Sequence, residues 1–498
     1  MRACGILLPI FALPSKYGIG CFSKEAYDFV DQLAAAGQKN WQILPLGPNG
    51  HEEGCDSPYQ SYSTFAGNPY FVDLETLTKW GLLTKEECDA IDFGEDVHCI
   101  DYDKLDKERD AVLRLAFQRF SSETDEAYIT FAKDNDFWLE DYCMYMALKR
   151  ESGGLAWTEW SAEYRDRDSD AMCHAKEVLS EEIGYQRFVQ YLFWKQWTAL
   201  KRYANEKEIQ IIGDIPIYVA FDSADAWSRP ELFQFNEKHE PTDVSGCPPD
   251  GFSPTGQVWN NPLYDWVYHE QTGFEWWAQR IKHNLSLYDV VRIDHFRGLD
   301  EYYSIPFGDE DAFRGHWEKG PGMALFHALE KKCGKMNLIA EDLGFLTDSV
   351  KALLRETGYP GMKVLEFAFD DSEDSVYLPH KYDHNCVVYT GTHDNDTLQG
   401  WYQTLSEHDR AFTQRYLNNA DTLLDEIHWD FIRLAMASVA DLCIIPMQDY
   451  LGLGNEARIN VPGVGKEGNN WKWRMGKGDF TEELVEKIRQ ITKLYGRL

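Results

Sequence analysis

Eight short, mostly apolar runs recur along the chain, each followed by a proline, a glycine or a polar residue. They occupy residues 5–8, 41–44, 209–212, 290–293, 338–340, 362–365, 386–389 and 442–445. Runs of this length and character read as strands of a parallel sheet buried on both faces. Helical spacing separates several of them. Phe29, Val30, Leu33 and Ala34 follow Ser23 as N-cap and stop at Gly37; Leu325, Phe326 and Leu329 stop at Gly334; Val350, Leu353 and Leu354 stop at Gly358. Eight buried strands alternating with helices predict an α/β fold, a (β/α)8 TIM barrel.

The chain has 498 residues, whereas such barrels run from about 200 to over 400 with insertions. The surplus is therefore expected between strands of one catalytic barrel spanning 1–498. Residues from about 70 to 200 are helical in pattern and rich in charge, notably 103–120 and 188–203, and predict an inserted helical subdomain. Residues from about 219 to 275 are rich in proline, glycine and aromatics and predict an inserted substrate-binding loop region.

A formal charge of −34 argues against nucleic acid and anionic membranes as partners, because both would be repelled. The apolar N-terminal stretch is broken by Pro9 and Pro14 and reads as no secretory leader. Eleven cysteines scattered without a C-x-x-C pair predict reduced thiols and a cytoplasmic location. Neither a glycine-rich dinucleotide turn nor a phosphate-binding loop is present, so no cofactor is implied.

In a barrel of this kind the strand ends and the loops beyond them converge on one site. Position thus selects Asp214, Asp294, Glu341 and Asp394 from 83 acidic residues. Glycoside cleavage needs two carboxyl groups flanking one bond: one attacks the anomeric carbon or activates water, the other protonates the leaving oxygen. The acid must hold its proton near neutrality, and neighbouring carboxylates favour that. Arg292 shares a strand face with Asp294 by the period of two, which sets a cation beside the candidate nucleophile. Plainer readings exist: Asp214 as a turn or capping residue, Arg292 as a paired core arginine. His295, His393, Asp394 and Asp396 also invite a zinc reading, but such barrels carry a His pair after an early strand, and here the first run enters Pro9-Ile10-Phe11. Trp259 and Tyr59 lie in loop-forming contexts with polar neighbours, where a flat ring can stack on a sugar; Trp276 and Trp277 read as core.

The chain resembles the amylomaltases, the 4-α-glucanotransferases or disproportionating enzymes of the α-amylase-like barrel clan. The resemblance rests on WQILPLGP from Trp41, SPYQSYSTFAGNPYF from Ser57, GDIPIYV from Gly213, PPDGFSPTGQVW from Pro248, RIDHFRG from Arg292, AEDLG from Ala340, YTGTHDNDT from Tyr389 and PMQDYLGLGNEARINVPG from Pro446. It implies a retaining double displacement that transfers α-1,4-glucan segments, with Asp294 as nucleophile, Glu341 as general acid/base and Asp394 as stabiliser of the transition state. It further implies sugar contacts from Ser57, Tyr59, Asp214, Asp250, Trp259, Arg292, His393, Asp370 and Asn470. Asn260 departs from the family pattern, where glycine is expected between the tryptophan and the Asn-Pro pair.

The partners expected on this resemblance are maltooligosaccharides and α-1,4-glucans, with the chain a monomer or weak homo-oligomer. Two alternatives remain at this stage: a hydrolase of the α-amylase kind, in which water resolves the same intermediate, and a silent glucan-binding barrel.

Overall fold

The computed structural model describes residues 2–50, 56–94, 96–249, 253–369, 374–419, 421–464 and 468–498. Eight parallel strands form the centre: β1 Ala3–Leu7, β2 Asn40–Gln42, β3 Gln210–Ile215, β4 Val290–Ile293, β5 Leu338–Ala340, β6 Gly361–Val364, β7 Cys386–Tyr389 and β8 Leu442–Pro446. Their order is β6-β7-β8-β1-β2-β3-β4-β5. Between the two end strands, the Ala340 N–H donates to the Pro360 carbonyl at 3.0 Å, so the sheet curls into a barrel. All eight predicted strands are present.

Side chains alternate along a strand, and that alternation decides what reaches the barrel's interior and its mouth. Leu7, Ile212, Ile339, Met362, Val364, Val387, Tyr389 and Ile444 form the inner cluster. Two residues beyond the inward Ile212 stands Asp214; two beyond Ile339 stands Glu341; the inward series of β4 runs Val290, Arg292, Asp294. The same parity that packs aliphatic groups in the barrel therefore delivers charge at its C-terminal end. The other strand faces, including Cys4, Ile6, Ile211 and Ile293, join the larger core beneath the helices.

Between β2 and β3 lie the helices Tyr102–Arg119, Asp136–Glu151 and Ser180–Glu206, among shorter ones. The last runs on towards β3 and packs on the helix Lys24–Ala35, with Tyr27 and Tyr203 ring centroids 5.1 Å apart.

A second, antiparallel sheet departs from the sequence reading. Asp243–Cys247 and Gln257–Pro262, from the stretch read as loop, pair with Glu301–Pro306 and His316–Lys319, from the connection after β4. Trp259 thus sits on a strand and not in an open loop. These strands are short, His316–Lys319 is exposed along its length, and their pairing joins two separate connections, so local patterning carries little trace of them. Asn260 lies within that sheet at φ +60°, the left-handed region that glycine occupies most freely and asparagine best among the others. Asparagine at this position is therefore compatible with the left-handed backbone found here.

Candidate active site

The cleft at the C-terminal end of the barrel has a volume of about 920 Å³, and Asp294, Glu341, His393, Asp394, Tyr59 and Trp259 are among the residues that line it. Ser57 and Asn470 line it too. Asp250 and Asp370 lie outside the described residues.

Arg292 and Asp214 lie buried behind Asp294 and Tyr59. Strand register makes them direct partners on β3 and β4. Arg292 Nη1 donates to Asp214 Oδ2 at 2.6 Å, and Nη2 stands 2.9 Å from Asp294 Oδ1. One planar guanidinium thus joins two carboxylates, which a lysine ammonium would not hold in the same fork. Burial disfavours the charge, but Asp214 and Asp294 outweigh it and hold the arginine protonated. The Tyr59 hydroxyl donates to the same Asp214 oxygen at 2.8 Å. Asp214 belongs to β3 itself, which runs three residues past the predicted end; Gly213 permits this, since a Cβ there would stand 2.2 Å from the Tyr288 ring.

Glu341 is held by the backbone. Its Oε2 accepts the His295 N–H at 2.8 Å and its Oε1 the Leu343 N–H at 2.7 Å. His295 takes φ +48° directly after Asp294, which turns its N–H towards β5. Burial, then the charge of Asp294, push the Glu341 carboxyl up to about 7, against the pull of Arg292 and the two N–H donors. It can therefore carry a proton near neutrality, as a general acid requires.

Asp394 is placed by side chains that sequence reading did not single out. Asn460 Nδ2 donates to its Oδ1 at 2.6 Å, and Arg458 Nη2 donates to its backbone carbonyl at 2.6 Å while pairing with Asp396. Both lie in the quoted PMQDYLGLGNEARINVPG segment, where only their chemistry could have marked them. His393 Nε2 stands 3.3 Å from Asp394 Oδ1, and its ring stacks on Tyr59 at 5.2 Å and 14°.

Trp259 lines the same cleft with its indole edge-on to the His295 ring at 4.9 Å. Its N–H donates to Gln257 at 3.0 Å. Ser57 accepts the Tyr59 N–H at 3.2 Å. The Asn470 amide is engaged by its own loop: it accepts from Val461 N–H at 2.8 Å and donates to the Val461 and Val464 carbonyls at 3.1 Å each.

The family model described as 4-alpha-glucanotransferase matches residues 8–479. The chain belongs to the 4-alpha-glucanotransferase family. The 4-alpha-glucanotransferase of Clostridium butyricum is 48% identical over 490 residues, covering 98% of this chain and 99% of that one. That of Thermus thermophilus is 45% identical over 506 residues, covering 100% and 99%. The amylomaltase of Streptococcus agalactiae, solved in complex with acarbose, superposes with a TM-score of 0.96 at 40% identity over the whole of both chains. The protein is accordingly an enzyme, a 4-alpha-glucanotransferase of the amylomaltase or disproportionating kind built on a (β/α)8 barrel. Among the described residues, no helix of the enzyme is long and apolar enough to cross a membrane.

Proposed function

We propose that the enzyme moves a segment of an α-1,4-glucan to the 4-hydroxyl of an acceptor glucose or glucan by retaining double displacement through a glycosyl ester on Asp294. The observation that carries this reading is the pairing of two carboxyl groups in unlike surroundings. Asp294 faces the Arg292 guanidinium at 2.9 Å, so a fixed cation holds the proposed nucleophile in place. Glu341 is half-buried and pushed up to about 7, which favours the proton-carrying form.

In the first step the Glu341 proton passes to the leaving glycosidic oxygen as Asp294 attacks the anomeric carbon. The C–O bond to the leaving chain breaks and a C–O bond to Asp294 forms. In the second step the acceptor 4-hydroxyl gives its proton to Glu341 and displaces Asp294, so the anomeric configuration is inverted twice and retained. Asp394, fixed by Asn460 and next to His393, stabilises the positive charge that develops on the ring.

Arg292 and Asp214 act from behind the cleft lining by orienting Asp294 and Tyr59. Ser57, Tyr59, Trp259, His393, Asp250, Asp370 and Asn470 are the proposed sugar contacts, Asn470 by shaping the 461–464 loop. Donor and acceptor are maltooligosaccharides and longer α-1,4-glucans; acarbose in the solved relative supports a sugar-sized cleft of this kind. Trp259 favours transfer over hydrolysis by binding acceptor sugar where water would otherwise enter. Free cysteines such as Cys4, Cys143 and Cys443 in the buried core support a cytoplasmic setting.

Maltotriose as sole substrate tests the reading. A ladder of shorter and longer oligomers with little gain in reducing ends, absent in Asp294→Asn, supports it. Maltose and glucose accumulating with rising reducing ends would assign hydrolysis instead.

A further inference from the structure

Beneath the turn that carries His393 and Asp394 lies a carboxyl group to which the mechanism gives no part. Glu366 follows Met362 and Val364 by two residues in the inward series of β6, and its side chain is buried. Its backbone N–H donates to the Thr390 carbonyl at 3.2 Å. A methyl group built on Gly391 would stand 2.7 Å from Glu366 Oε1, so the carboxyl packs directly against the base of the turn. That oxygen has no hydrogen-bond partner among the described residues.

Glu366 also meets the Asn395 side chain. Asn395 Oδ1 accepts the Thr392 N–H at 2.9 Å and its hydroxyl at 2.8 Å, and the same hydroxyl accepts the Asp394 N–H at 3.3 Å. A continuous path therefore runs from Glu366 through Asn395 and Thr392 to the backbone of Asp394.

We infer that Glu366 is a positioning residue for Asp394, supporting the turn through Gly391 and Asn395. The inference rests on the stabilising role proposed for Asp394 above. Three charged or titratable groups surround the carboxyl. Asp449, on the helix Met447–Leu451, accepts the Thr390 hydroxyl at 2.6 Å and the Leu398 N–H at 2.8 Å; Asp396 pairs with Arg458. Burial first, and then Asp449 and Asp396, raise Glu366 well above the usual carboxylate range, against the pull of Arg458. A glutamine keeps both the shape that packs on Gly391 and an oxygen that can meet Asn395, and a leucine offers no such oxygen.

The test is kcat and KM on maltotriose for Glu366→Gln, Glu366→Leu and Gly391→Ala, beside wild type and Asp394→Asn. Displacing a transition-state group lowers kcat more than KM, so Glu366→Leu is expected to lose about 30-fold or more in kcat with KM within about threefold. Glu366→Gln should recover to within about fivefold of wild type, and Gly391→Ala, which presses the turn against an intact Glu366, should repeat the loss. The inference is overturned if Glu366→Leu keeps its kcat, or if Glu366→Gln is no better than Glu366→Leu. Should Glu366→Leu fail to fold, wild-type kcat in Gly391→Ala overturns it equally. Full activity in Asp394→Asn would instead remove the role of Asp394 on which the inference rests.

Discussion

The backbone N–H of His295 donates to the carboxyl of Glu341 at 2.8 Å. Because His295 is the residue after Asp294, this bond fixes the distance between proposed nucleophile and proposed acid through one peptide unit. Neither group can drift along its strand end without disturbing the other. Such preorganisation is what a displacement with two carboxyl groups requires.

Replacing Arg292 separates its two roles. Arg292→Lys keeps a charge but cannot hold Asp214 and Asp294 in one fork, and kcat/KM is expected to fall about 100-fold with the fold retained. Arg292→Met strands the buried Asp214 and is expected to cost about 3–5 kcal/mol in a denaturant titration. Equal stability loss in the two variants would contradict the fork.

Glu341 sets the alkaline limb. Its proton is needed in the first step, so kcat/KM should be level below pH 7 and fall about tenfold per pH unit above it. With an α-glycosyl fluoride donor, whose leaving group needs no protonation, the limb should disappear from the first step. A limb unchanged with the fluoride would assign it to another group.

Asn260 at φ +60° makes a prediction about backbone alone. Asn260→Ala should lower stability by about 1 kcal/mol, because a Cβ without a local polar partner disfavours that conformation. Asn260→Gly should stay within about 0.5 kcal/mol and keep the wild-type product ladder. Thermal unfolding of the two variants decides it, and equal losses would contradict the conformational account.

His269 is fully buried among Tyr264, Trp266 and Trp276, and burial pushes it down to about 4 from 6.5. Folded protein therefore keeps it neutral while unfolded chain takes up a proton below pH 6.5. Its contribution to stability is intact above that pH and lost as pH falls towards 4, by up to about 3 kcal/mol. His269→Phe should flatten that part of the stability profile; an unchanged profile would show that other groups govern it.

Much of this molecule is legible in its sequence because a parallel barrel buries both faces of each strand. The runs around Ile211, Val291 and Val388 announce themselves by apolarity alone, and strand parity carries the reading on to Asp294 and Glu341. The antiparallel sheet was not legible, since Gly246 and the exposed His316–Lys319 have no periodicity that survives without their partners. Asn460 and Glu366 escaped for a related reason. Their significance lies in what the fold brings beside them, Asp394 Oδ1 in one case and Gly391 in the other.

The central claim is the ester on Asp294, and trapping tests it most directly. Glu341→Gln incubated with α-maltosyl fluoride can form the intermediate, since fluoride leaves without a proton, but lacks the base that activates the acceptor. The expected result is protein heavier by one maltosyl unit, with the label mapped by peptide mass spectrometry to Asp294. Label on another residue, or turnover to products of inverted configuration with no labelled protein, would contradict the account.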